Sequence, residues 1–112
     1  MAFKLFYTDY TQDQHVRSDE AKPADVQQII DCMNTRLHEE DNFIGLVDDK
    51  EVMLQFMVEE GGSLTVDVPV HDRRGSFAKS ADLEACIDIV QSLGNTIDIN
   101  KIAGLEFKPW GR

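Results

Sequence analysis

Apolar positions recur along this chain with two periods, close to two residues and close to 3.6, and the switches between them mark out its elements. Phe3, Leu5 and Tyr7 alternate with Lys4, Phe6 and Thr8, the pattern of an opening strand. From Asp9 to Lys22 the chain is rich in Asp, Gln and Ser and reads mostly as loop; only His15-Val16-Arg17 suits a second short strand. Pro23 is then expected in the first turn of a helix, where its missing N–H costs nothing. Val26, Ile29, Ile30, Met33 and Leu37 follow at helical spacing and form one apolar stripe ending near His38.

Strict alternation returns in three segments, Phe43 to Val47, Val52 to Val58 and Leu64 to Val70, which predict an antiparallel meander with one buried face. Val52, Leu54, Phe56 and Val58 share a face of the second strand, and Leu64, Val66, Val68 and Val70 share a face of the third. A two-residue turn at Gly61-Gly62 would set Phe56 opposite Asp67 and put an apolar row on the wrong side. A three-residue loop, Glu60-Gly61-Gly62, sets Phe56 opposite Val66 and places Gly62 where a left-handed backbone is required. For the hairpin around Asp48-Asp49-Lys50, two or three loop residues fit equally well.

His71 to Gly75 reads as a turn and Ser76 to Lys79 as a short edge strand. Ser80 is the expected cap of a second helix, with Asp82 and Glu84 in its first turn, an apolar stripe of Leu83, Cys86, Ile87, Val90 and Leu93, and a stop at Gly94. The tail through Ile97, Ile99 and Ile102 to Trp110 is expected to pack on the domain, with Trp110 buried against the sheet. The expected whole is one α+β domain over residues 1–112: a two-layer sandwich of about five mostly antiparallel strands and two amphipathic helices.

Composition narrows what such a domain does. The chain has 112 residues, 21 acidic against 11 basic, a formal net charge of −10. Nucleic-acid backbones require cationic footprints, so direct nucleic-acid binding is disfavoured. No apolar run approaches the roughly 18 residues of a membrane helix, and the opening residues are too short for a signal-peptide core, so no membrane is expected and the cytoplasm is. Cys32 and Cys86 fall on helix stripes without CxxC spacing, which suits buried thiols in a reducing compartment.

Catalytic patterns are sparse. No nucleophile elbow, P-loop, dinucleotide fingerprint, HExxH or EF-hand loop occurs, and His15, His38 and His71 are scattered. No catalytic residue, cofactor or metal is expected. The informative feature is a surface. Between Glu39 and Asp67 stand nine acidic residues and one basic, Lys50. Glu39, Glu40, Asp41, Asp48, Asp49, Glu59, Glu60 and Asp67 are expected to rim the outer face of the central hairpin, whose Met53, Gln55 and Met57 supply an adaptable apolar patch. That combination suits docking on a basic protein. Tyr10 and Trp110 are further possible anchors, with burial the expected role of Trp110.

The order of elements, with Phe43-Ile44-Gly45-Leu46, Met53-Leu54-Gln55-Phe56, Gly75-Ser76-Phe77 and Gly104-Leu105-Glu106-Phe107-Lys108-Pro109-Trp110, resembles small acidic immunity proteins of bacterial polymorphic-toxin systems. The resemblance covers about two-thirds of the chain and rests on core and turn residues, so it transfers no binding residue. It implies an antidote, monomeric or homodimeric, that occludes the active site of a cognate toxin, often one acting on nucleic acid. The alternative is a regulatory or structural interaction module, for instance a homodimer pairing through an edge strand. An enzyme or small-ligand binder would instead require a concave pocket with convergent polar groups.

Overall fold

The computed structural model describes residues 3–110. Eight strands and two helices follow one another as β1 (Phe3–Asp9), β2 (Gln14–Val16), β3 (Lys22–Ala24), α1 (Val26–Arg36), β4 (Phe43–Val47), β5 (Met53–Val58), β6 (Leu64–Val70), β7 (Gly75–Ala81), α2 (Leu83–Ser92) and β8 (Glu106–Pro109). All strands pair antiparallel in the order β2-β1-β4-β5-β6-β7-β8, with β3 beside β2 on the outer edge of β1. The fold is α+β, as the periodicity predicts, but with eight strands where about five were expected.

The differences have local causes. Pro23 lies in β3 opposite Lys4, on the sheet's edge, where a missing N–H leaves no ladder bond unmade. The helix starts after it, at an Asp25–Gln28 capping box: Asp25 Oδ1 accepts from Gln28 N and Gln28 Oε1 from Asp25 N, both at 2.8 Å. Ser80 belongs to β7, paired with Thr65, and Asp82 is the cap of α2, accepting from Ala85 N at 2.8 Å. The segment expected as a short edge strand is an interior strand, because β8 pairs outside it.

The hairpins follow side-chain facing. Phe56 pairs with Val66, and Glu59 N donates to Ser63 O at 2.8 Å, closing the three-residue loop Glu60-Gly61-Gly62 in which Gly62 has φ 97°. The β4–β5 loop also has three residues, Asp49-Lys50-Glu51, since Asp48 N bonds Val52 O at 3.0 Å. Its left-handed position falls on Glu51, with φ 66°.

One core holds the elements together. Ile44, Leu46, Leu54, Phe56, Val66 and Val68 from one sheet face join Ile29, Met33 and Leu37 from α1 and its cap and Cys86, Val90 and Leu93 from α2. Each such side chain contributes about 1.5–3 kcal/mol by leaving water. Ile97 and Ile102 join the same cluster, so the tail packs down as expected. Trp110 does not: it is 45% exposed, tied to the sheet by an Nε1 bond to Ser76 Oγ at 3.0 Å.

A buried polar knot fastens α1 to β1. Asp9, 2% exposed, accepts from Arg36 Nη1 at 2.9 Å, Asn42 Nδ2 at 3.0 Å and Gln12 N at 3.1 Å. The Arg36 guanidinium also lies 4.1 Å from the Tyr7 ring centre. Burial works to raise the Asp9 pKa, but the three donors and the Arg36 charge outweigh it and hold the carboxyl below its ordinary value.

Candidate protein-interaction site

Alternation sends Leu54, Phe56 and Val58 into the core and leaves Met53, Gln55 and Met57 on the opposite face, where the sequence places them. Pairing then orders that face into rows across the sheet. The central row is Phe6, Gly45, Gln55, Asp67, Ala78 and Glu106. Beside it run Thr8, Phe43, Met57, Thr65 and Ser80. Phe6 lies down over Gly45: a Cβ there would come within 2.0 Å of the Phe6 Cζ, so only glycine admits the ring. Packed on Gly45 and edge-on to Phe43 at 6.5 Å between ring centres, Phe6 is 4% exposed.

The face is open. Met57 is 38% exposed, and Phe43, Met53, Gln55, Thr65 and Asp67 are half-buried. The C-terminal strand extends the sheet alongside β7 and does not fold over it.

The acidic residues do not rim this face continuously. Asp41 N donates to Val58 O at 2.9 Å and Val58 N to Asn42 O at 3.0 Å, which draws the loop after α1 against the end of β5. Glu39, Glu40 and Asp41 thereby join Glu59 and Glu60 in a crest at one end of the sheet. Asp49 and Glu51 lie at the other end, because successive tips of a meander point in opposite directions. Six residues of β5 separate the two poles by about 20 Å. That exceeds the roughly 8 Å Debye length at physiological salt, so the poles act as separate fields. The crest is the stronger. No Lys or Arg lies between Leu37 and Asp49, and among the described residues none of its five carboxylates makes an ion pair.

Asp48 leaves the predicted set. It is 5% exposed, with Oδ1 accepting from Lys50 N and Val52 N at 2.9 Å and Oδ2 from Ile97 N at 3.0 Å. Its carboxylate pins the hairpin to the tail and presents nothing outward. Glu59 is half engaged, accepting from the Thr65 hydroxyl at 2.7 Å.

Asp67 is the one charge in the middle of the open face. Partial burial raises its pKa, with the neighbouring Ser76 hydroxyl pulling the other way. A carboxyl whose folded pKa lies above its unfolded value destabilises the fold when ionised and ceases to do so as pH falls through the folded pKa. Asp67→Asn is therefore expected to melt at an equal or higher temperature than the parent at pH 7. The gap should close in acid, as thermal melts over pH 3–7 would show.

Catalytic alternatives gain little. Burial, with the Asp82 charge adding to it, pushes the Cys86 thiol up to about 12, and burial raises Cys32 as well, so neither supplies a thiolate at neutral pH. Among the described residues no three His, Cys, Asp or Glu side chains converge as metal ligands, and no helix is long and apolar enough to cross a membrane. An open cleft beside the Asp49–Glu51 tip has Val52, Val68, Ile97 and Ile99 for walls and His71, Asp72 and Asp98 at its rim. Its buried acid is the fully bonded Asp48.

No family model, curated protein or solved structure matches the chain. Function must therefore be read from the surface itself.

Both possible anchors outside the hairpin, Tyr10 and Trp110, are exposed, Trp110 against the expectation of burial. Trp110, edge-on to His71 at 5.4 Å between ring centres, stands exposed beside Arg73 and Arg74.

Proposed function

We propose that this chain is an inhibitor of the immunity type, acting in the cytoplasm of a bacterium, which neutralises a cationic, nucleic-acid-directed toxin domain by covering it. In this reading the helices form one layer behind the sheet and the bare sheet face is the contact layer. The observation that carries the reading is the pairing of that open, partly apolar face with an adjoining crest of five carboxylates that make no ion pair among the described residues. Unpaired like charges repel one another at some cost to the fold, and a cationic partner removes that cost. Met53 and Met57 on either side of the central row, with the larger block of charge at one border, suit a protein interface.

Edge-strand dimerisation, the principal rival, has less to support it. β2 and β3 are three residues each, and both sheet edges carry proline, Pro23 and Pro109, features that blunt strand addition.

The test is inhibition. A partner retained by the immobilised chain and purified should lose its activity in proportion to added chain, reaching completion at one equivalent. Met57→Glu should relieve the block without changing the melting temperature by more than a few degrees. Full activity of the partner in the presence of excess chain would refute the proposal.

A further inference from the structure

Among the described residues three large apolar side chains stand exposed, Tyr10, Met57 and Trp110. Met57 belongs to the open face, and the pairing of β8 puts Trp110 there too. Lys108 lies opposite Ser76 and Glu106 opposite Ala78, so alternation sends position 110 to the same side as Ser76 and Ala78. Its backbone N–H donates to the Arg74 carbonyl at 2.8 Å, which continues the ladder past the last pair.

The indole is fixed as well as exposed. Its Nε1–H donates to Ser76 Oγ at 3.0 Å, and its ring meets His71 edge-on. Ser76 is 6% exposed, and its hydroxyl proton goes to Asp67, whose ionised form it favours. One chain of hydrogen bonds therefore runs from Trp110 through Ser76 to Asp67, the hydroxyl accepting at one end and donating at the other. A side chain ordered in this way before contact loses little freedom when a partner covers it. With its N–H already satisfied within the chain, the ring offers only hydrocarbon outward, and its complement is an apolar pocket.

The span suits a folded partner. Met57 is level with Ser80, two residues beyond Ala78 towards the crest, and Trp110 lies four residues beyond Glu106 the other way. Six residues along the strands and three strand spacings across them separate the two side chains by about 25 Å. A standard interface covers about 800 Å² of each partner, a patch roughly 30 Å wide. Met57 and Trp110 fall within one such patch, with the crest at its border.

Resting on the open-face reading, we propose that Trp110 is the second anchor of that face, its indole entering an apolar pocket on a folded, cationic partner about 25 Å from the contact at Met57. The crest governs how fast the partner arrives, and Trp110 how slowly it leaves.

Trp110 is the single tryptophan, so its emission reports this site alone. In the free chain its Nε1–H should show backbone-like order in NMR relaxation, and Ser76→Ala should release it. The binding probe is the protein retained by the immobilised parent chain and lost with Met57→Glu. Its addition should move the parent's emission to shorter wavelength as the indole leaves water. Trp110→Ala should speed dissociation about tenfold or more, with the association rate and its salt dependence unchanged. Trp110→Phe, which keeps a ring but not the bond to Ser76, should fall between. An indole mobile in the free chain, an unmoved emission, or a Trp110→Ala dissociation rate equal to the parent's would overturn the proposal. Those outcomes would leave the open-face reading standing, because that reading is judged on Met57, whereas the lack of any Met57-dependent partner would overturn both.

Discussion

Replacing Glu40 and Glu60 together with lysine is expected to slow association with the cationic partner by about 10- to 100-fold at low salt, with little change in the dissociation rate. Both side chains are exposed and neither makes a hydrogen bond or ion pair among the described residues, so the fold does not depend on them. Glu59 is a poorer choice, because its carboxylate accepts from Thr65. The effect should shrink as salt rises, since screening shortens the reach of the crest. The equivalent reversal at Asp49 and Glu51 should do much less, because that pole lies about 20 Å away, beyond the Debye length. Stopped-flow association at two ionic strengths separates the two poles.

The second large effect is on stability. Arg36→Ala removes the counter-charge from Asp9, a carboxylate 2% exposed that then keeps only two of its three donors. Leaving one member of a buried pair alone costs about 3–5 kcal/mol. At roughly 4 °C per kcal/mol for a domain of this size, the melting temperature should fall by about 12–20 °C. Asp9→Asn in the Arg36→Ala background should recover part of the loss, which a mere packing defect over Tyr7 would not allow. Acid should act on the parent in the same way. The Asp9 pKa is held below its ordinary value, so its contribution is complete above about pH 4 and declines as pH falls towards the folded-state pKa. Asp9→Asn should lack that part of the acid limb.

Much of the architecture was legible because the physics is local. The facing of Phe56 and Val66 followed from parity of pairing, and it selected the Glu60-Gly61-Gly62 loop without further information. Both helix stripes followed from spacing, and their buried members are those the spacing picks out. The short strands were harder. Lys22-Pro23-Ala24 has neither alternation nor β-branched residues, and it is extended only because β1 offers it an edge. Glu106–Pro109 is a strand for the same reason beside β7.

The site was legible in its apolar part and misread in its charges. Met53, Gln55, Met57 and Asp67 share the open face as alternation requires. The acids from Glu39 to Glu60 are close in sequence but belong to tips at opposite ends of the meander, a division that hairpin reversal alone could have indicated. Asp48 could not have been placed by any local rule, since the amide that engages its second oxygen is that of Ile97, 49 residues away.

The most direct test of the account follows the Met53 and Met57 methyl resonances through formation of the inhibited complex. If the open face is the contact surface, both methyls shift or broaden with Phe43 and Gln55, while methyls on the solvent side of α1 and α2 stay in place. Unmoved Met53 and Met57 signals, with the changes falling on the helices, would contradict it.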